Sequence, residues 1–302
     1  MPPFKIVVRS YNRSDLIQER TLKFLAAQRD LDLAKNLYIV VHESEKELYE
    51  RALQGFPKAG FIVKTVKGIH QSVLAAHRFF TPGERLVFMD DDIESLQYFN
   101  GALTKEARLD LDVFGRFAAD AFRTLDDIGI PTCWSVSVVS NLMFKQGKPF
   151  KEFRPHHVCG PLWGGFNSET ITTSQGHDED RIRTARCIQD FGGVLIYNWL
   201  SATNWGTENP GGMAHERGGA EKQARIEKTR ELCYHLWEND PLYRKYHFEP
   251  SFNENTGCWT TRLLPISTIR KLREFKHLKW SGFFQNEPDE EEASPIEDMF
   301  GV

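Results

Sequence analysis

No apolar stretch in this chain of 302 residues approaches the roughly 20 residues needed to cross a bilayer. A membrane-spanning protein is therefore not expected. Cysteine is scarce: Cys133, Cys159, Cys187, Cys233 and Cys258 are widely spaced and form no CxxC pair. An odd, scattered set of this kind argues against a disulfide framework and fits reduced thiols. His156 and His157 lie close to Cys159, but no paired ligand set completes a zinc site. A strong basic excess is also missing, since the net charge is −4. The charge is well short of the strong bias of a dedicated nucleic-acid binder. The opening Met1–Val8 leads straight into a strand-like segment rather than a signal peptide, so the expected compartment is the cytoplasm. No internal repeat is visible.

What is present suits a large soluble core, with 40% hydrophobic and 26% charged residues. The charge is unevenly spread. Gln285–Val302 holds seven acids and no Lys or Arg, which leaves the rest of the chain at +3. Between Arg217 and Trp280, 13 basic residues face 8 acidic ones. This gives a mildly basic segment before a solvated acidic tail.

Short apolar runs alternate with helical patterns. Phe4–Arg9, Leu37–Val41, Phe61–Val66, Leu86–Met89, Trp134–Val139 and Val194–Trp199 read as strands. Helices are expected after Ser14 or Asp15, after Ser44 (with Glu47 completing a capping box), around Ser72–Phe80, Asp112–Asp127, Asp180–Asp190 and Ala220–Glu238. The aromatic stripe of Phe114, Phe117 and Phe122 recurs at helical spacing and reads as core. Asn141–Gln175 and 201–219 read as loops. Alternation of this kind predicts an α/β fold with a mostly parallel sheet.

The densest chemistry is Asp90-Asp91-Asp92, directly behind the run Leu86–Met89. That position is the C-terminal edge of a strand, where α/β sheets hold ligands. Clustered carboxylates attract a hard cation, and Mg²⁺ is commonly held by one or two carboxylates plus substrate phosphates. The triplet thus suggests a metal–diphosphate site and a nucleotide-sugar enzyme. An acidic turn capping the next helix is the alternative. Two further features suit the same site. Ser10-Tyr11-Asn12-Arg13 follows the first strand, with Glu43 after the second. Asp178-Glu179-Asp180 opens a helix, with Arg186 and Gly192 six and twelve residues beyond Asp180.

In this order the features resemble GT-A glycosyltransferases over roughly residues 4–200. The resemblance implies a Rossmann-like core over 1–216, a helical basic extension over 217–284 and the tail over 285–302. It implies a UDP-sugar donor contacted by Ser10, Tyr11, Asn12, Arg13, Glu43, Asp90 and Asp91. Gln71 and Arg78, along with Lys67 and His70, are further candidates from the turn after the third strand. Asp90 and Asp92 would hold Mn²⁺ or Mg²⁺, with His215 of the 209–217 loop as a third ligand or a solvated side chain. Asp180 is the implied general base, its pKa raised by crowding from Asp178 and Glu179. The bland alternative is that these acids complement a helix N-terminus. The acceptor side is expected at Trp163, Gly164 and Gly165, where Trp163 and Phe166 read equally as stacking rings or as core residues. In overall character the chain is similar to phage-encoded TET-associated glycosyltransferases, which modify hydroxymethylated pyrimidines in DNA. That implies a DNA acceptor and the host cytoplasm, and the basic C-terminal third suits it. A glycan, lipid-carrier or protein acceptor is the other possibility. Neither the sugar nor the oligomeric state is legible.

Overall fold

The computed structural model describes residues 3–99, 108–137, 143, 145–158, 160–172, 179–204, 222–254 and 258–272. The strands are β1 (Lys5–Arg9), β2 (Leu37–His42), β3 (Gly60–Lys64), β4 (Arg85–Asp90), β5 (Ile93–Phe99) and β6 (Arg108–Asp110). They continue with β7 (Trp134–Ser137), β8 (Lys151–Arg154), β9 (Leu162–Phe166), β10 (Val194–Asn204), β11 (Ser251–Asn253) and β12 (Cys258–Thr260). The helices are α1 (Ser14–Ile17), α2 (Lys23–Ala26), α3 (Leu33–Asn36), α4 (Lys46–Ala52) and α5 (Ile69–Phe79). After them come α6 (Phe114–Asp127), α7 (Glu179–Phe191), α8 (Lys222–Asn239), α9 (Pro241–Tyr246) and α10 (Ile266–Leu272).

One 10-stranded sheet runs in the order β3-β2-β1-β4-β9-β7-β10-β5-β6, with β8 paired to β10. The pairings set β1–β4, β6, β7 and β10 in one direction, and β5, β8 and β9 in the other. The fold is thus α/β with a mostly parallel sheet. Period-two burial explains the layers. Ile6 and Val8 of β1 face one cluster, where Phe24 and Leu25 of α2, Tyr49 of α4 and the α6 stripe of Phe114, Phe117 and Phe122 are buried. Val7 faces the other cluster, with Val73 and Ala76 of α5 and Cys187 of α7. The aromatic stripe is core, as its spacing predicts.

Several local expectations are corrected. No side chain of Ser14 or Asp15 caps α1. Ser44 does not begin a capping box; instead His42 Nδ1 accepts from the Ser44 amide at 3.2 Å and caps a 3₁₀ turn, Glu43–Glu45, ahead of α4. The helix read from Asp112 begins at Phe114. Its first turn is capped from a distance, by Gln28 Oε1 on the Phe114 amide and by Asp30 on the amides of Gly115 and Arg116. The stretch read as loop between 141 and 175 contains β8 and β9, and β10 runs four residues into the loop read from 201.

The C-terminal elements are built onto α7. Ala185 and Ile188 pack with Tyr246 of α9 and Ile269 of α10. Ile182 packs with Leu236 of α8 and Tyr243 of α9. At the start of α7, Arg181 Nη2 donates to Thr260 Oγ1 of β12 at 2.6 Å. The extension read as helical therefore also carries the β11–β12 hairpin. The acidic tail lies outside the described residues.

Candidate active site at the strand ends

The ends of β1 and β4 lie side by side, with Arg9 opposite Asp90 in parallel register. Asp91 and Asp92 turn the chain from β4 into β5, so no helix follows the triplet and the helix-capping alternative for it falls away. The turn is clamped by Thr21, which lies in a π-helical turn, Gln18–Leu22, between α1 and α2. Its Oγ1 donates to the Asp90 carbonyl at 2.7 Å and accepts from the Ile93 amide at 2.9 Å. Single π turns often mark functional sites, and here the widened turn holds the residue that fixes the triplet's backbone.

A chain of donors ties the first loop to the triplet. The Arg13 amide donates to Tyr49 Oη at 3.1 Å, and Tyr49 and Ser10 share a hydrogen bond of 2.6 Å. Ser10 Oγ gives its proton to Asp91 Oδ2 at 2.6 Å, so the Tyr49 hydroxyl must donate to Ser10. Burial pushes the Tyr49 phenol upward and keeps it protonated for this purpose. Arg13 Nη1 lies 2.8 Å from Asp91 Oδ1 and 3.4 Å from Asp92 Oδ2. Asn12 adopts φ 54°, a left-handed conformation that Asn tolerates, and its amide donates to Glu45 Oε2 at 3.1 Å. Tyr11 sits beneath Lys67, whose Nζ is 5.5 Å from the ring centre.

Arg9 joins this cluster to α7. Its Nη2 donates to Asp90 Oδ1, while Nη1 lies 3.5 Å from Glu179 Oε1. Glu179 is also 3.5 Å from Arg183, which is fully buried with its guanidinium 3.8 Å from the Trp163 ring centre. Four carboxylates, those of Asp90, Asp91, Asp92 and Glu179, therefore meet the guanidinium groups of Arg9, Arg13 and Arg183. Residues 170 positions apart in sequence share one network of four acids and three guanidinium groups.

The pKa directions follow from this packing. Burial raises Asp90 and Asp91, and the facing guanidinium groups of Arg9 and Arg13 only partly oppose it. Glu179 rises through burial and through the Asp180 charge. Burial also pushes Asp180 up, but Arg181, His157 and Arg183 outweigh it and hold its carboxyl below the usual range. The expectation that crowding raises Asp180 is thus reversed. The two adjacent acids are split, with Glu179 raised and Asp180 lowered.

Other candidates fare unequally. Ser10 and Asp91 are buried and face each other, so they support the loop rather than line a ligand site. Glu43 is exposed beyond β2, and the acid that grips the first loop is its neighbour Glu45. Gln71 sits in the first turn of α5, its amide 2.9 Å from His70 Nε2. Arg78 is exposed, about 10 Å further along α5. The acceptor expectation is overturned. Trp163 is completely buried on β9, stacked at 4.3 Å on Phe88. A Cβ on Gly164 would lie 2.4 Å from the Trp134 ring, and one on Gly165 would lie 3.1 Å from Cys133 Sγ. These glycines admit neighbouring core side chains into the sheet. Phe166 packs edge-on against Phe122 rather than offering a free face. Arg186 donates to the carbonyls of Glu169 and Thr172 and braces that turn. Gly192 takes φ 94° and closes α7, as a C-cap glycine does. Asp178 and His215 lie outside the described residues.

Among the described residues no group of three or more His, Cys, Asp or Glu side chains is arranged to hold a metal ion. Those residues do not by themselves build a self-sufficient cage. The donor chemistry fits the sparser arrangement in which one or two carboxylates hold Mg²⁺ or Mn²⁺ and ligand oxygens complete the shell. Asp90, with a side chain 31% exposed, is the accessible member, and Asp92 is its buried neighbour.

Arg9, Thr21, Glu45, Tyr49 and Arg183 escaped the sequence reading. One signal was available for Arg9, a cation closing an otherwise apolar strand beside three acids. The others sit on helices or in a turn, where nothing in the spacing sets them apart.

No protein-family model matches the sequence, and no curated protein matches it. Solved structures are similar at low identity. The chain is similar to TarS of S. aureus (its residues 1–349) in complex with UDP-GlcNAc, with TM-score 0.44, 16% identity and coverage of 80% of this chain and 68% of that one. It covers 40% of the longer TarS structure. It is similar to the mannosyltransferase PcManGT from Pyrobaculum calidifontis in complex with GDP-Man and Mn²⁺, with TM-score 0.41, 16% identity and coverage of 80% and 82%. It is also similar to glucosyl-3-phosphoglycerate synthase from Mycobacterium tuberculosis in complex with phosphoglyceric acid, with TM-score 0.46, 10% identity and coverage of 88% of each chain.

Proposed function

We propose that this chain is a glycosyltransferase that uses a nucleotide sugar, with a UDP-sugar as donor and Mn²⁺ or Mg²⁺ as cofactor. One observation carries the reading: Arg9 bridges Asp90 and Glu179, so the Ser10–Arg13 loop, the aspartate triplet and the start of α7 meet at the strand ends. The three motifs whose order resembles GT-A enzymes are thereby neighbours in space.

In this reading Asp90 and Asp92 would hold the divalent ion, which would supply Lewis-acid stabilisation of negative charge on the diphosphate. Tyr11, Asn12, Glu43 and Gln71 line the nucleotide side. Ser10, Asp91 and Tyr49 keep the loop in place. Asp180 accepts the proton of the acceptor hydroxyl as general base. Glu179, held between Arg9 and Arg183, positions the first turn of α7 on which Asp180 sits.

For the acceptor we propose a hydroxymethylated pyrimidine in DNA. Exposed Arg230, Arg244, Lys245, Arg262, Arg270 and Lys271 on the C-terminal elements favour a polyanion. A neutral acceptor, such as a glycan, is the second reading. It is favoured by the acids Glu227, Glu231 and Glu238, which share with Arg230 and Tyr234 a surface cavity of about 540 Å³ on α8. Mass spectrometry of digested DNA separates the two. DNA containing 5-hydroxymethylcytosine, 5-hydroxymethyluracil or ordinary bases is incubated with the protein, Mn²⁺ and a panel of nucleotide sugars. A sugar-sized mass gain on one modified nucleoside supports the DNA acceptor. Donor consumption with unmodified DNA moves the reaction to the neutral acceptor.

A further inference from the structure

The carboxylates assigned to the cation are already occupied by the protein's own cations. Arg13 Nη1 lies between Asp91 Oδ1, at 2.8 Å, and Asp92 Oδ2, at 3.4 Å. Arg9 engages Asp90 Oδ1. The Arg9 side chain is 5% exposed and Arg13 11%, so neither pair is a loose surface bridge screened by water. The two arginines also differ in where they sit. Arg9 is shared with Glu179 and sits at the end of a central strand. Arg13 is carried by the loop after β1, next to Asn12 in its left-handed turn.

We infer that Arg13 is an internal latch on the metal site, a guanidinium that spans Asp91 and Asp92 and must cede Asp92 when a divalent cation enters. This rests on the reading that Asp90 and Asp92 hold such a cation. The latch has two consequences. Cation binding without a nucleotide is weak, because it competes with an arginine already in place. Cation and nucleoside diphosphate bind with positive coupling, because the displaced guanidinium gains an anionic partner when the diphosphate is present, and linkage makes the effect reciprocal. Arg9, anchored by Glu179, stays with α7 and supplies the fixed positive charge of the site.

The test measures Mn²⁺ binding directly, by the loss of the free-ion electron paramagnetic resonance signal, with and without UDP. It compares the wild-type protein, Arg13→Gln and Arg13→Lys. The latch predicts that Arg13→Gln binds Mn²⁺ alone at least about tenfold more tightly than wild type, a difference of about 1.4 kcal/mol. It also predicts a smaller gain on adding UDP than wild type shows. Arg13→Lys keeps a cation on the loop and should fall between the two, which also serves if the Gln variant does not fold. Equal Mn²⁺ affinity in wild type and both variants overturns the latch and leaves the metal assignment standing. No Mn²⁺ binding by any of the three proteins, with or without UDP, overturns the metal assignment and the latch with it.

Discussion

Replacing Arg9 with methionine should expose how the strand-end network is balanced. The substitution keeps much of the apolar stem of this buried side chain and removes the guanidinium between Asp90 and Glu179. Deleting one partner of a buried ion pair costs about 3–5 kcal/mol, because the other charge is left uncompensated. Here two carboxylates are left, but both already lie above their ordinary pKa through burial and can take up protons. The cost therefore depends on pH. In the variant the folded state binds more protons than the unfolded state from about pH 4 upward, so its stability must fall as pH rises. Each unit between the unfolded and folded pKa of one such group is worth about 1.4 kcal/mol. We expect a loss of about 3–5 kcal/mol at pH 7.5 and a smaller one at pH 5.5. Urea unfolding of wild type and Arg9→Met at both pH values reads this directly, provided the slopes agree. Adding Glu179→Gln to the variant should recover part of the loss, as expected for residues sharing one network. A loss below about 1 kcal/mol, or one independent of pH, would refute the argument that Arg9 compensates these buried acids.

Three further outcomes follow from the same geometry. Asp180→Asn should lower kcat about 10²–10⁴-fold with little change in donor affinity, since it removes a proton acceptor rather than a binding contact; steady-state kinetics beside UDP titration checks this, and a fall in affinity alone would contradict it. Gly164→Ala should destabilise by about 1–3 kcal/mol or more, because a Cβ there meets the buried Trp134 ring at 2.4 Å; a thermal midpoint matching wild type would show that the ring can move. His157 is held down to about 3 by burial, with His247 and Arg181 adding to the effect against Asp180, and His156 is held down to about 4. Both are depressed in the folded state, so stability is full above pH 6.5 and is lost as pH falls below it, by up to about 1.4 kcal/mol per unit for each histidine; His157→Asn should flatten the acid side of the midpoint–pH curve, and an unchanged curve would sink this account.

The fold was legible where a segment is buried on both faces or is strongly periodic. β1, β2 and β4 are short apolar runs because helices cover the sheet on both sides, and α6 announces itself through Phe114, Phe117 and Phe122. β8 and β9 were not legible. β9 is Leu-Trp-Gly-Gly-Phe, and its glycines look like a turn in sequence although they admit Trp134 and Cys133 into the sheet. The same ambiguity misplaced the acceptor side, since a Trp between glycines reads alike as a stacking platform or a core residue. The capping of α6 by Gln28 and Asp30 depends on a contact across more than 80 residues and leaves no local trace. Within the site, the acids were found because three in a row behind a strand are chemically conspicuous. Their guanidinium partners were harder to find, since an isolated Arg in sequence gives no sign of which carboxylate it will meet. The Asp180 shift had the wrong sign because the reading weighed the neighbouring acids and not the adjacent Arg181, while His157 arrives from a distant loop that spacing does not show.

The most direct test of the central claim is nucleotide release from a panel of nucleotide sugars, measured with Mn²⁺ for wild type, Asp92→Asn and Asp180→Asn. The account predicts that wild type consumes one donor, that Asp92→Asn loses metal-dependent turnover, and that Asp180→Asn still binds UDP but turns over at least about a hundredfold more slowly. Failure of wild type to bind UDP or to consume any nucleotide sugar would contradict it.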